Sequence, residues 1–246
     1  MNVTSKQTFQ FVFNWKITVF AICMLPILIR LGFWQLSRAE EKETLLEVWA
    51  EQQALPAIEW RLGMDEQNKY RRIRTTGEFD ASRYWLIEGK HLNGKLGFDV
   101  VMPFRIKDSD NWILVNRGWL PAGQYREQLP EFTTPSGILS ISGQWSIPSD
   151  LTLVDEVTDL TQTWPKKVLE VDTELMSKQL HSNLENRILL VDEDNASALA
   201  VNWITVNTSP AKHYGYAVQW FAMAVALCIL WLFANSNISS LLGRRK

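Results

Sequence analysis

The strongest constraint on this chain is an uncharged stretch near its C-terminus. Residues 214–234 read YGYAVQWFAMAVALCILWLFA, 21 residues without Asp, Glu, Lys or Arg. About 20 apolar residues rising ~1.5 Å each cross a hydrocarbon core of ~30 Å. A soluble core helix would need partners on every side, and this segment is apolar all round. Residues 213–234 are therefore expected to form a transmembrane helix.

A second span is expected at residues 17–36, near the other end. It is less clean: Arg30 interrupts it, and Trp34 and Gln35 follow. Arg30 falls about six residues, or ~9 Å, short of the far end, within snorkelling reach of the interface. Pro26 removes one helical hydrogen bond, which membrane helices tolerate. The rival reading is a cleaved signal peptide. Ser37-Arg38-Ala39 loosely resembles a cleavage site, but it lies some ten residues beyond the compact apolar run. An uncleaved anchor is the favoured reading.

Charge then orients the molecule. Lys6, Lys16 and Arg30 are the charged residues of 1–36, and Arg244, Arg245 and Lys246 those of 213–246, with no acid in either segment. The remainder, 37–212, holds 19 basic residues against all 27 acidic ones, a net of −8. Basic residues prefer the cytoplasmic side. The expected layout is a cytoplasmic tail (1–16), a first span (17–36), an exported domain (37–212), a second span (213–234) and a basic cytoplasmic tail (235–246). The exported domain would face a periplasm or a mitochondrial intermembrane space. The lack of an Arg- and Ser-rich transit stretch before Ile17 favours a bacterial inner membrane. A formal net charge of −2 argues against a nucleic-acid binder. The only cysteines, Cys23 and Cys228, fall in the spans, so no disulfide or CxxC site is expected outside.

Between the spans, residues 38–53 are good helix formers and extend the first span as an amphipathic stalk, ended by Leu55-Pro56. Short runs rich in β-branched and aromatic residues follow at 70–79, 83–88, 97–106, 112–120, 138–145 and 187–192, with one more strand at 201–206. Asn93-Gly94 is a tight-turn signal, and Asp172 an N-cap for a helix at 173–180. The fold class expected is a membrane protein: two transmembrane helices flanking an extracytoplasmic, mostly-β domain, barrel- or sandwich-like, with a few short helices.

Enzymatic signatures are missing: no nucleophile elbow, phosphate loop, dinucleotide fingerprint or H-E-x-x-H occurs. His91, His181 and His213 lack ligand spacing. Asp192-Glu193-Asp194 reads as a turn. Eight of the twelve tryptophans lie in the exported domain and read as core, while Trp15 and Trp34 suit an aromatic belt.

One place concentrates chemistry. His213 stands at the outer threshold of the second span, followed by Tyr216 and Trp220. Paired spans would bring Trp34, Gln35 and Arg38 to the same level, with Gly215, Ala222 and Ala226 as the small face for close approach. An imidazole for iron, aromatic walls, and Arg38, Lys212 or Arg30 for propionates are the parts of a haem site. A polar interfacial anchor at His213 uses the same residues.

The motifs also occur together in a known family. RLGFWQLSRAEEK (30–42), RRIRTTGEFD (71–80), GFDVVMPF (97–104), ILVNRGWLP (113–121) and KHYGYAVQWFAMA (212–224) stand in that order between two terminal spans. The chain resembles the Surf-one (Surfeit locus protein) family of cytochrome c oxidase assembly factors, over nearly its whole length. The region 148–184 matches least. The resemblance implies a non-enzymatic, membrane-anchored factor that binds haem a and assists its insertion into oxidase subunit I. Its cofactor residues would be His213, the iron ligand, with Trp34, Gln35, Arg38, Tyr216 and Trp220. Expected partners are oxidase subunit I, other oxidase assembly factors and the lipid bilayer. The alternative is a haem-free membrane scaffold, meeting oxidase subunits or assembly factors through Arg117 and Trp119. An enzyme modifying the haem side chain is a third class, without a motif to support it.

Overall fold

The computed structural model of the chain describes residues 9–64, 70–123, 125, 128–148, 163–203 and 208–238. The basic tail residues Lys6, Arg244, Arg245 and Lys246 lie outside them. Two compact units separate: residues 1–47 with 205–246, and residues 48–204.

The first unit is a helix pair. Helix α1 (Trp15–Ala54) is one unbroken element of 40 residues containing Pro26, so the first span and the stalk are a single rod. It ends just before Leu55-Pro56, as the restriction on a residue preceding proline predicts. The second membrane helix, labelled α3 because a short helix precedes it in the chain, is Pro210–Ala234, with Ser209 as N-cap and proline in its first turn. Both helices are long and apolar enough to cross a membrane, each with a mean hydropathy of 2.1 over its most apolar window.

The less exposed residues of α1 include a row at 18, 21, 25, 28, 32, 35, 39, 42 and 46, alternating steps of three and four. On α3 the corresponding row is 213, 217, 220, 224, 227 and 231. That spacing is the seam of a two-helix coil. The pair is antiparallel, since Trp231 meets Thr18 while His213 meets Gln35. The expected small-residue face of Gly215, Ala222 and Ala226 is not the one used. A Cβ on Gly215 would meet nothing within 4 Å, and the buried small residues are Gly32, Ala39, Ala217 and Ala224. Phe221 lies over Gly32, where only the lack of a side chain leaves room.

A polar clasp closes the ends of this unit. Phe11 and Ser236 form an antiparallel bridge, and Val12 N donates to Asn235 O at 2.7 Å. The buried Asn235 accepts from Asn14 N at 2.7 Å through Oδ1 and donates from Nδ2 to Trp231 O at 2.9 Å.

The second unit is a barrel. Its strands are β1 (Ile58–Glu59), β2 (Arg72–Phe79), β3 (Trp85–Leu92), β4 (Lys95–Ile106), β5 (Trp112–Pro121), β6 (Leu139–Ser146), β7 (Lys166–Val168) and β8 (Leu184–Val191), with helix α2 (Thr173–Leu180) before β8. Strand β2 pairs with β6, β6 with β8, β8 with β5, β5 with β4, and β4 returns to β2. Five strands therefore close on themselves, mixed because β5 and β8 run parallel. Closure removes the two open edges that a sandwich would keep. Strand β3 hangs on β4, and the three-residue β7 on β3.

Local signals explain the joints. Asn93 and Gly94 both take positive φ, 51° and 75°, between the paired residues Leu92 and Lys95, which is the backbone twist a two-residue hairpin requires. Asp172 Oδ1 accepts from Leu175 N at 2.9 Å and starts α2. The interior is filled by Ile73, Phe104, Ile113, Val115, Ile141, Trp145 and Leu189, the inward halves of alternating strands. Trp85 and Ile87, with Met176 and Leu180 of α2, make a second layer.

The strand expected at 201–206 is not seen in its described residues. Residues 201–203 carry no strand, and 204–206 lie outside the described residues. Ala200 makes a single bridge to Trp119, and Trp203 Nε1 donates to Val191 O at 2.8 Å. The apolar side chains there pack on the barrel core instead of extending the sheet.

Candidate functional site

The site builds from the seam of the helix pair. Gln35 and His213 occupy facing seam positions, and Gln35 Oε1 lies 2.7 Å from His213 Nδ1. An amide oxygen only accepts, so in the neutral ring this contact places the proton on Nδ1 and the free lone pair on Nε2. Such a second partner fixes the tautomer and orientation of a metal-ligating histidine.

Two contacts mark one flank of the pair. Phe33 and Phe221 meet edge to face at 5.4 Å, and Tyr214 Oη donates to Glu43 at 3.0 Å. With 3.6 residues per turn, or about 100° per residue, Trp34 and Arg38 fall on the other side of the α1 seam. Tyr216 falls on the other side of the α3 seam, and Trp220 beside it. The second flank thus carries Trp34, Arg38, Tyr216 and Trp220, with Gln35 and His213 behind them. Trp34 is 50% exposed and Tyr216 49%, so both rings offer apolar surface away from the seam. The Arg38 guanidinium lies 5.8 Å from the centre of the Trp34 ring and pairs with Glu41 at 2.6 Å. Arg30, also a candidate cation, points to the face of α1 away from α3.

The residues present fit a porphyrin by donor chemistry. They offer one oriented imidazole nitrogen, large aromatic faces, and a cation whose present carboxylate partner is exposed and exchangeable. An apolar groove lined by Ala21, Leu25, Leu227 and Cys228 lies at the opposite end of the helix pair and belongs to a different level. Among the described residues, no cluster of three or more His, Cys, Asp or Glu could hold a metal ion.

The motif residues of the barrel have a different character. Arg117 is 2% exposed. Its Nε donates to Ser197 O at 2.7 Å, Nη2 to Thr133 O at 2.9 Å and Nη1 to Thr134 Oγ1 at 3.1 Å, between the rings of Phe79 and Phe132 at 5.4 Å each. Burial pulls the guanidinium down to about 10, which leaves it charged at neutral pH. A partner would reach it only by breaking those contacts, so the surface role expected of Arg117 falls on an interior tie. Next to it, Gly118 sits at φ 115° in a bulge, where a Cβ would stand 2.6 Å from Ala200 O. Asn116 Oδ1 accepts from Gly118 N, and Asn116 Nδ2 donates to Asp99, whose carboxyl burial pushes up. Trp119 keeps part of its surface; its indole donates to Lys90 O at 3.2 Å and its ring covers Gly97. In the acidic run, Asp192 accepts from Arg72 at 2.6 Å and Ser142 at 2.8 Å.

Sequence reasoning missed the contact between Tyr214 and Glu43 and the clasp at Asn235. The first joins side chains 171 residues apart, and the second had only one signal, an Asn directly after the apolar run.

Comparison with known proteins bears on the family of the chain. The SURF1 family matches residues 22–225, from within the first apolar helix into the second. A "SURF1-like protein" of Rickettsia bellii (strain RML369-C) is 28% identical over 237 residues, 92% of each chain. Another of Rickettsia felis (strain ATCC VR-1525 / URRWXCal2) is 26% identical over 237 residues, 92% of this chain and 99% of its own. "Surfeit locus protein 1" of Takifugu rubripes is 24% identical over 225 residues, 82% of this chain and 89% of its own. With paired apolar helices, a mixed β-barrel between them, and a match over most of its length, the chain belongs to the SURF1 family of cytochrome c oxidase assembly factors.

Proposed function

We propose that this protein is a non-enzymatic assembly factor of the inner membrane that carries haem a as cargo and assists its insertion into oxidase subunit I. The observation that carries the reading is the 2.7 Å contact between Gln35 Oε1 and His213 Nδ1. It leaves Nε2 as the nitrogen for iron and holds the ring in one orientation. Trp34, Tyr216 and Trp220 would cover the macrocycle on the second flank of the pair, and Arg38 would exchange Glu41 for a propionate. A single neutral imidazole is a modest tether, which suits a carrier that must release its cargo. Oxidase subunit I and other assembly factors are the partners; of Arg117 and Trp119, only Trp119 keeps surface for them. Both tails would be cytoplasmic and the barrel extracytoplasmic.

The test is the visible spectrum of detergent-purified protein from cells that make haem a. Wild type should carry haem, His213→Ala should lose most of it, and Gln35→Leu should retain an intermediate amount. Equal haem in wild type and His213→Ala overturns the ligand role. A wild type without haem leaves the scaffold reading, in which the helices and barrel hold oxidase subunits alone.

A further inference from the structure

Among the described residues, the barrel unit contains five buried N–H groups that no acceptor meets: the indole Nε1 of Trp60 and of Trp145, one guanidinium Nη1 of Arg71 and of Arg187, and the Nε of Arg72. Other donors in the same unit are met. The indoles of Trp49, Trp85, Trp119 and Trp203 each find an oxygen, Arg83 and Arg117 find carboxylates or carbonyls, and Arg72 pairs with Asp192 through Nη2. Buried unpaired donors are costly exceptions, charged ones most of all. Arg187 is the extreme case, 6% exposed and without an ion pair among the described residues.

Arg71, Trp145 and Arg187 share one end of the barrel. Trp145 N donates to Arg71 O at 2.9 Å, and Tyr70 N to Trp145 O at 3.1 Å, so Arg71 and Trp145 are cross-strand neighbours. Ser146 pairs with Ile188 and Trp145 with Leu189, which puts Arg187 across from Ile147, one step further along the same two strands. The alternation that turns Ile73, Leu189 and Val191 into the core turns Arg71 and Arg187 the same way. Trp60, whose N donates to Arg74 O at 2.8 Å, packs on the core further along β2, and Arg72 alternates to the opposite face, where it meets Asp192. Glu170 Oε2 is also unmet, but it follows β7 at the other margin of the sheet, and no ion pair joins it to either arginine among the described residues.

Arg71, Trp145 and Arg187 each present an unmet donor, and two of the three are cations. We infer that this end of the barrel binds an anionic oxygen ligand, a carboxylate or phosphate group, held by Arg71 and Arg187 and aligned by Trp145. An ionised carboxylate offers two oxygens with about four lone-pair sites, enough for these three donors. Half-buried Arg71 gives a route from solvent, and Ile73 gives an apolar wall for the body behind the anion.

The test is a melting titration of the full-length, detergent-solubilised protein at constant ionic strength balanced with chloride. Inorganic phosphate and hexanoate are the two probes. At least one should raise the melting temperature saturably, and the one that does distinguishes a phosphate from a carboxylate ligand. Arg71→Met and Arg187→Met should weaken the response about tenfold or more. Trp145→Phe, which keeps the ring and removes one donor, should weaken it severalfold and serves if an arginine variant fails to fold. His213→Ala should respond as wild type, which separates this site from the haem reading. No saturable rise beyond chloride with either probe, or variants that respond as wild type does, overturns the inference.

Discussion

At Arg117 a full positive charge lies inside the barrel unit, tied to Ser197, Thr133 and Thr134. Those three acceptors belong to segments that carry no strand, so the guanidinium fastens irregular chain to β5. Replacing it by methionine would keep much of the volume and leave the carbonyls of Ser197 and Thr133 unpaired. The expected cost of Arg117→Met is about 2–4 kcal/mol, read as a lower denaturation midpoint at unchanged slope. A change below about 0.5 kcal/mol, the scale of ordinary surface substitutions, would mean the ties do not support the fold. The Asn116–Trp119 motif was visible in the sequence, but its meaning was not. Only the backbone reveals that Gly118 needs φ 115° and that Ala200 O occupies the place of a Cβ.

Among the elements, the pairing of α1 and α3 matters most, because it brings Gln35 to His213. Phe221 lies over Gly32, with ring carbons 2.6 Å from where a Cβ would stand. Gly32→Val should therefore force the helices apart and cost about 1–3 kcal/mol. Haem recovery should fall with it, and Phe221→Ala in the same chain should restore part of both. Gly32→Val protein that melts and carries haem as wild type does would show that the seam is elsewhere. Length and lack of charge were enough to recognise both helices. They said nothing about which face is used, since an all-apolar helix has no polar side to exclude. Gly215, Ala222 and Ala226 were plausible on that ground, and the steric fit of Phe221 on Gly32 selected Ala217 and Ala224 instead.

For the whole molecule, the antiparallel pair brings Phe11 and Ser236 together at one end of the helical unit. On the proposed topology the basic residues flanking it in the sequence would put that end in the cytoplasm. A cysteine introduced by Asp110→Cys, in the exposed β4–β5 turn, should react with an impermeant maleimide once the outer membrane is opened. One introduced by Lys246→Cys should react only after the inner membrane is breached. Cys23 and Cys228, both at membrane depth, should stay unlabelled throughout. The reverse pattern for the two introduced cysteines would invert the topology.

Local chemistry determined the two spans, the stalk, six strands and the Asp172-capped helix, because hydropathy period, turn residues and caps act within a few neighbours. The family motifs pointed to His213 and its surroundings for the same reason: they are contiguous. Closure of five strands into a ring, the inward turn of Arg117, the clasp at Asn235, and the meeting of Gln35 with His213 were decided only by the tertiary structure. Each joins residues far apart in the chain, and steric fit and hydrogen-bond satisfaction between such residues exist only once the backbone has brought them together.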